Sequence, residues 1–242
     1  MPNMAQAITE TQDNFWLFGY GSLIWKAPPH FDQRVPGYIE GYVRRFWQAS
    51  EDHRGTSHHP GRVVTLIERS HYDSIVPPST PPPSYRVWGA AYHIPQEHVK
   101  EVQEYLDIRE INGYSIQHTP FQPAAHGEKP VEKCMVYIGL PSNPQFLGPQ
   151  DLDRLAARIW RCKGPSGENR DYLFMLAEAL KALGEGAEDE HVEELAKRAR
   201  KAGLDRGEDG ATLGDQLPIE VAIEQFSSAT SDHKGTEEVE KQ

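Results

Sequence analysis

Phe15-Trp16-Leu17-Phe18-Gly19-Tyr20-Gly21-Ser22-Leu23-Ile24-Trp25 is the stretch whose reading decides the fold. Four apolar residues run into two glycines one residue apart, and the apolar pattern then resumes. That order predicts a buried strand over 15–19 that breaks into a tight turn with exposed backbone. Peptide N–H groups that no side chain covers can cup a carboxylate, or a carbonyl oxygen that is gaining charge. A sharp turn of purely structural purpose gives the same pattern. The residues around it separate the two readings.

Working outward, further strands are predicted over 38–48, 62–68, 86–93, 114–119 and 132–139, rich in Val, Ile, Tyr, Phe and Trp. Helical spacing covers about 96–110, 150–162, 168–183 and 188–202. Asn169 or Ser166 is placed to begin the third of these, with Gly184 and Gly203 ending the last two. Strands come first and helices last, without steady β-α-β alternation. An α+β domain with a mostly antiparallel sheet is therefore favoured over a doubly wound one. Five prolines between His71 and Arg86 predict an exposed insertion over 71–86. The expected organisation is a flexible N-terminus over 1–14, one domain over 15–203, and an acidic, disordered tail over 204–242.

The chain has 242 residues and a formal charge of −11. From Asp205 onward ten acidic residues face three basic ones, so the tail carries most of the imbalance. An acidic field with no basic stripe argues against nucleic-acid binding. No apolar run approaches membrane-span length, and residues 1–14 lack the basic start and apolar core of a secretory signal. Two cysteines, Cys134 and Cys162, are too few for a disulfide framework. A cytoplasmic protein is expected, with no obligate protein partner evident.

The candidate acid–base group is Glu110. Val99, Val102 and Leu106 form an apolar stripe, and eleven residues after Val99 a helix returns to within about 20° of the same face. A carboxylate is thus aimed inward, where desolvation raises its pKa toward the range a general base needs. Pairing with Arg109, or an early helix end, would make the same residue structural. No second acid shares that face, so a glycosidase-like pair is not indicated.

Arg44, Arg45, Arg54 and Arg62 cluster within nineteen residues of an acidic chain. They suit recognition of carboxylates, or ion pairs with Glu51 and Asp52. His53, His58 and His59 lack a metal-site spacing, and no metal is expected on them. Gly164 to Asn169 reads as a loop that caps a helix. The turn lacks the third glycine of a dinucleotide fingerprint, Lys26 lacks the Walker context, and neither Ser22 nor Ser166 sits in G-x-S-x-G. Cys134 lies in an apolar strand pattern and reads as core.

Taken together the segments resemble the ChaC-like γ-glutamylcyclotransferases, in particular the glutathione-specific branch of fungal type. The matching pieces include Phe18-Gly19-Tyr20-Gly21-Ser22-Leu23-Ile24-Trp25-Lys26, Arg44-Arg45-Phe46-Trp47-Gln48, Asp52-His53-Arg54-Gly55 and Tyr105-Leu106-Asp107-Ile108-Arg109-Glu110. Gly113-Tyr114, Tyr137-Ile138-Gly139, Leu147-Gly148-Pro149 and the Gly164–Leu173 run follow in the family's order. The resemblance implies a small mixed, largely antiparallel β-barrel with flanking helices. It implies conversion of reduced glutathione to 5-oxoproline and Cys-Gly, with Glu110 as the catalytic base and acid. Tyr20, Gly21, Ser22, Leu23, Arg45 and Tyr137 would bind substrate, and neither cofactor nor metal would be needed. The alternatives are a cyclotransferase for other γ-glutamyl peptides or amines, and a non-catalytic γ-glutamyl-peptide regulator. The 71–86 insertion, the tail and Ile111-Asn112 depart from the family's usual pattern.

Overall fold

A computed structural model of the chain describes residues 15–78, 82–109 and 114–205. Segments 1–14 and 206–242, which hold the expected loose N-terminus and nearly all of the tail, lie outside the described residues, as does Glu110.

The opening stretch forms β1 (Phe15–Gly19), followed by β2 (Gln33–Glu40), β3 (Tyr42–Ser50) and β4 (Gly61–Glu68). After α1 (Arg69–Ile75) come β5 (Arg86–Ile94), α2 (Val99–Arg109), β6 (Tyr114–Pro123) and β7 (Val131–Gly139). Three helices end the described residues: α3 (Leu152–Arg161), α4 (Asn169–Lys181) and α5 (Glu190–Leu204). Between α3 and α4 lies a minimal ribbon of β8 (Lys163–Gly164) and β9 (Gly167–Glu168).

Five strands close into a barrel in the order β1-β5-β2-β6-β7. Four of the pairings are antiparallel, and the barrel shuts through a short parallel pairing of β1 with β7, Trp16 opposite Cys134 and Leu17 opposite Met135. The α+β, mixed and largely antiparallel architecture expected from the sequence is the one observed. β3 and β4 form a separate antiparallel ribbon with a bulge between Arg45 and Gln48.

Closure removes exposed edges and buries both faces of β1 and β5. Leu17, Phe18, Ala90, Ala91, Tyr92 and Ile94 are almost fully inaccessible. Leu155, Ile159, Trp160, Leu173, Leu176, Val192 and Leu195 carry the same core into the layer of α3, α4 and α5. Val102 and Leu106 of α2 are fully buried and Val99 packs beside them, so the predicted apolar stripe faces the core.

Three expectations are corrected. The single strand expected over 38–48 is two, β2 and β3, separated by Gly41 at φ +87°, a conformation that glycine alone adopts freely. The proline-rich 71–86 stretch is not irregular throughout, because its first residues complete α1, where Tyr72 is buried against Trp47. Gly203 does not end α5 but lies inside it, where a Cβ would come within 2.1 Å of the Trp160 ring. Its role is close helix packing. Gly184, at φ +128°, does follow α4 as expected.

Candidate active site

β1 can turn where it does because Gly19 has no side chain: a Cβ there would sit 2.5 Å from Leu23 Cβ. The chain folds back into a 3-10 turn over Ser22–Ile24, closed by Ile24 N–H donating to Gly21 O at 3.0 Å. Trp25 and Lys26 N–H both donate to Ser22 O, at 3.2 and 2.8 Å. An i→i+3 turn uses none of its first N–H groups internally, so those of Ser22 and Leu23 are spent on no bond within the turn. A Cβ at Gly21 would approach Tyr172 Oη to 3.0 Å and Val64 Cγ2 to 3.1 Å. The turn is therefore floored by β4 and α4.

Side chains from three strands take hold of this turn by its carbonyls. Arg44 Nε of β3 donates to Tyr20 O at 3.0 Å, and its Nη2 donates to Trp88 O. Tyr92 Oη of β5 donates to Leu23 O at 2.6 Å, and Arg34 Nη2 of β2 reaches Ile24 O at 3.3 Å. Tyr20 Oη donates in turn to Tyr137 O of β7 at 2.8 Å. In a trans peptide the C=O and the following N–H point in opposite directions. Anchoring Tyr20 O on Arg44 therefore turns the Gly21 N–H away from the guanidinium. The carbonyls of Tyr20, Leu23 and Ile24 are thus held by the protein around the turn.

Arg44 is fully buried, and Asp189, the N-cap of α5, supplies its counter-charge at 3.2 Å. Burial pushes the guanidinium's pKa down, and Asp189 leads the groups that pull it back. Asp189 also accepts from the N–H groups of His191 and Val192. His191 Nε2 accepts from Phe46 N–H at 3.2 Å. Burial, helped by the nearby Arg45, lowers the His191 pKa to about 3, so this imidazole is a neutral brace.

The sequence-derived candidates thus fall into three groups. Tyr20, Gly21, Ser22 and Leu23 are consecutive in the turn, and Tyr137 joins them through its carbonyl. Arg45 makes its contacts elsewhere: its Nη1 donates to Arg44 O, its Nη2 to Tyr72 Oη at 3.1 Å, and it lies over the Tyr72 ring. Glu110 lies outside the described residues; α2 runs up to Arg109, and β6 begins at Tyr114 opposite Gly139.

Arg54 is also turned inward, donating to Glu168 O and lying over the Tyr172 ring. Arg62 holds Gln150 and the carbonyls of Pro60 and Gly61. The Gly164–Asn169 stretch is not a side-chain cap. Asn169 instead clasps β4, accepting from Arg62 N–H and donating to Arg62 O, both at 2.7 Å. Burial alone pushes the Cys134 thiol up, away from nucleophilic thiolate, as its core reading requires.

Val64 and Tyr172 beside the turn, and Gln48 beside Gly139, were not among the sequence candidates, and Arg44 entered only as one of a cluster of four arginines. Gln48 is fully buried, and its Oε1 has no donor among the described residues. It lies beside Gly139, whose N–H and C=O are both held by Thr65 Oγ1. Strand parity could have flagged Arg44, since neighbours in a strand face opposite ways, so only one of Arg44 and Arg45 can point inward.

A family model described as ChaC-like protein matches residues 15–202. The chain belongs to the ChaC-like family. It is 45% identical over 191 residues to the glutathione-specific gamma-glutamylcyclotransferase of Schizosaccharomyces pombe, covering 78% of this chain and 94% of that protein. It is 43% identical over 190 residues to gamma-glutamylcyclotransferase 2-3 of Arabidopsis thaliana, covering 76% and 88%. Among solved structures, the selenomethionine-labelled gamma-glutamylcyclotransferase specific to glutathione from yeast matches with a TM-score of 0.71 at 33% identity, covering 78% and 97%. The ChaC-like match begins at the first residue of β1 and ends within α5, so it contains the turn and every side chain that anchors it. Among the described residues no helix is long and apolar enough to cross a membrane.

Proposed function

We propose that this protein is a glutathione-specific γ-glutamylcyclotransferase that converts reduced glutathione to 5-oxoproline and Cys-Gly. The observation that carries the reading is the 45% identity to the fission-yeast enzyme of that name across 94% of its length. The turn at Gly21 supports it physically. Its carbonyls are tied to Arg44, Tyr92 and Arg34, which fixes the orientation of its peptides, and fixed peptide dipoles are what stabilises a carbonyl oxygen that becomes negative.

In this mechanism the Tyr20–Leu23 turn seats the γ-glutamyl group. Glu110 takes a proton from the substrate's α-ammonium, and the freed amine attacks its own γ-carbonyl. A C–N bond forms to close the five-membered ring, and the bond from that carbon to the cysteine nitrogen breaks. Glu110 returns the proton to the leaving nitrogen. No water is consumed. The nucleophile is tethered to its electrophile, so effective concentration supplies much of the acceleration. Ser22 is a binding residue and not a nucleophile in this scheme. Arg45 and Tyr137 are assigned to substrate binding as well. A cytoplasmic setting is part of the proposal, supported by two free, buried cysteines suited to a reducing compartment.

The test is incubation of purified protein with reduced glutathione and with γ-Glu-Ala, followed by mass-spectrometric detection of 5-oxoproline. Product from glutathione alone supports the assignment, and product from neither sinks it. Product from γ-Glu-Ala alone would establish the second reading, a cyclotransferase for other γ-glutamyl compounds. The Arabidopsis relative, whose name carries no glutathione qualifier, keeps that reading in play.

A further inference from the structure

Three side chains meet where the loop that follows the 3-10 turn touches the start of α2. His30 belongs to that loop, His98 closes the short 3-10 turn Gln96–His98, and Glu101 lies in the first turn of α2. His30 Nε2 stands 3.1 Å from Glu101 Oε1, and His98 Nδ1 stands 3.7 Å from Glu101 Oε2. The imidazoles are stacked, 4.1 Å apart and 10° from parallel. One donor atom from each residue lies within 4.8 Å of the other two, the one such group of three among the described residues.

A second observation concerns the backbone. Among the described residues His30 is the one non-glycine with positive φ, at 59°. A side chain with a Cβ disfavours that left-handed conformation, which is kept where surroundings over-determine it. Here it accompanies a ring directed at His98 and Glu101.

We propose that His30, His98 and Glu101 form a binding site for one divalent transition-metal ion, zinc being the best chemical match. Two imidazoles and a carboxylate are borderline ligands that favour zinc over magnesium or calcium, which prefer all-oxygen sets. At zinc–ligand distances of about 2.0–2.2 Å, tetrahedral edges come to about 3.4 Å. The His30–Glu101 separation is already close to that. The other two edges close when the rings tilt out of their stack, which side chains one-third exposed (33% for His30, 37% for His98) permit. Water completes the fourth position.

The ion acts as a clip and not as an electrophile. Glu101 stands eight residues, about 12 Å of helix rise, before Arg109 at the far end of α2. It fastens the loop leaving the substrate turn to the helix that leads to Glu110. That consequence rests on the proposed function, whereas binding itself does not.

The test uses full-length protein stripped with chelator, dialysed and titrated with zinc by calorimetry, and with cobalt by visible absorption. One saturable equivalent of zinc at micromolar concentration, with cobalt d–d bands of low coordination number, is expected. His30→Asn keeps a residue that tolerates the left-handed backbone while removing the imidazole. It and Glu101→Gln should each weaken binding by more than about tenfold, the least effect seen when even an outer metal partner is lost. A protein with His53, His58 and His59 all changed to Ala should bind as before. Absence of saturable binding would overturn the site, as would binding that survives both His30→Asn and Glu101→Gln in folded protein.

Discussion

Replacing Arg44 with Met tests how the substrate turn is held. The guanidinium is fully buried and serves three acceptors: Tyr20 O at the turn, Trp88 O on β5, and Asp189 Oδ2 at the cap of α5. Met fills similar volume but donates nothing, so two carbonyls lose a charged donor and Asp189 loses its counter-charge. Breaking a buried pair by removing one partner costs about 3–5 kcal/mol, and that range is expected here because Asp189 is only 14% exposed. Asp189→Asn keeps the α5 cap but strands the fully buried Arg44 guanidinium, so it too should cost about 3–5 kcal/mol. The double variant should fall short of the sum by about 1–3 kcal/mol, because the carboxylate stranded in Arg44→Met is no longer charged. Urea unfolding of all four proteins at pH 7, extrapolated linearly, yields the cycle. Turnover should fall in Arg44→Met beyond what unfolding explains, because Tyr20 O is released and the Gly21 peptide can rotate. A cost below about 1 kcal/mol, within the range of ordinary substitutions, or strict additivity, would refute the anchoring argument.

Glu110→Gln should fold and yet lose about 10²–10⁴-fold in kcat, the usual contribution of a positioned general base; near-normal turnover would remove Glu110 from the mechanism. Gly21→Ala places a methyl 3.0 Å from Tyr172 Oη and 3.1 Å from Val64 Cγ2. It should shift the turn and lower kcat/KM on the order of 10²-fold, with a smaller effect on the melting temperature. Gly41→Ala meets no atom within 4 Å but is held at φ +87°. It should cost about 1–2 kcal/mol of stability and leave the kinetics of folded protein unchanged. His191 has a folded pKa of about 3 against 6.5 unfolded. The unfolded chain therefore binds the extra proton between those values, and stability is complete above pH 6.5 and drains away as pH falls toward 3. The slope should reach about 1.4 kcal/mol per pH unit, read by urea melts from pH 7 to 5, and His191→Gln should flatten it.

Local patterns in this chain were readable, and relations between distant segments were not. The apolar run broken by Gly19 and Gly21 marks both β1 and its turn because each feature is local. The stripe of Val99, Val102 and Leu106 likewise predicts the buried face of α2. The merging of β2 with β3 has a simple cause: 38–48 is almost continuously β-prone, and Gly41 alone marks the reversal. Proline density over 71–86 masked α1, whose stability comes from Tyr72 packing on Trp47. Choosing Arg45 over Arg44 could not be settled from type or spacing. Strand parity makes them alternatives, and the bulge after Arg45 together with the distant Asp189 decides which is buried. The parallel closure of β1 on β7 and the meeting of His30 with His98 are tertiary facts with no local signature.

Isotope tracing tests the central claim, that the substrate's own amine attacks its γ-carbonyl. Glutathione carrying ¹⁵N on the glutamyl amine is turned over in H₂¹⁸O, and the products are weighed. The account predicts 5-oxoproline with ¹⁵N in its ring and no ¹⁸O, released together with Cys-Gly. Glutamate bearing ¹⁸O in its γ-carboxylate would contradict it, since water and not the tethered amine would then be the nucleophile.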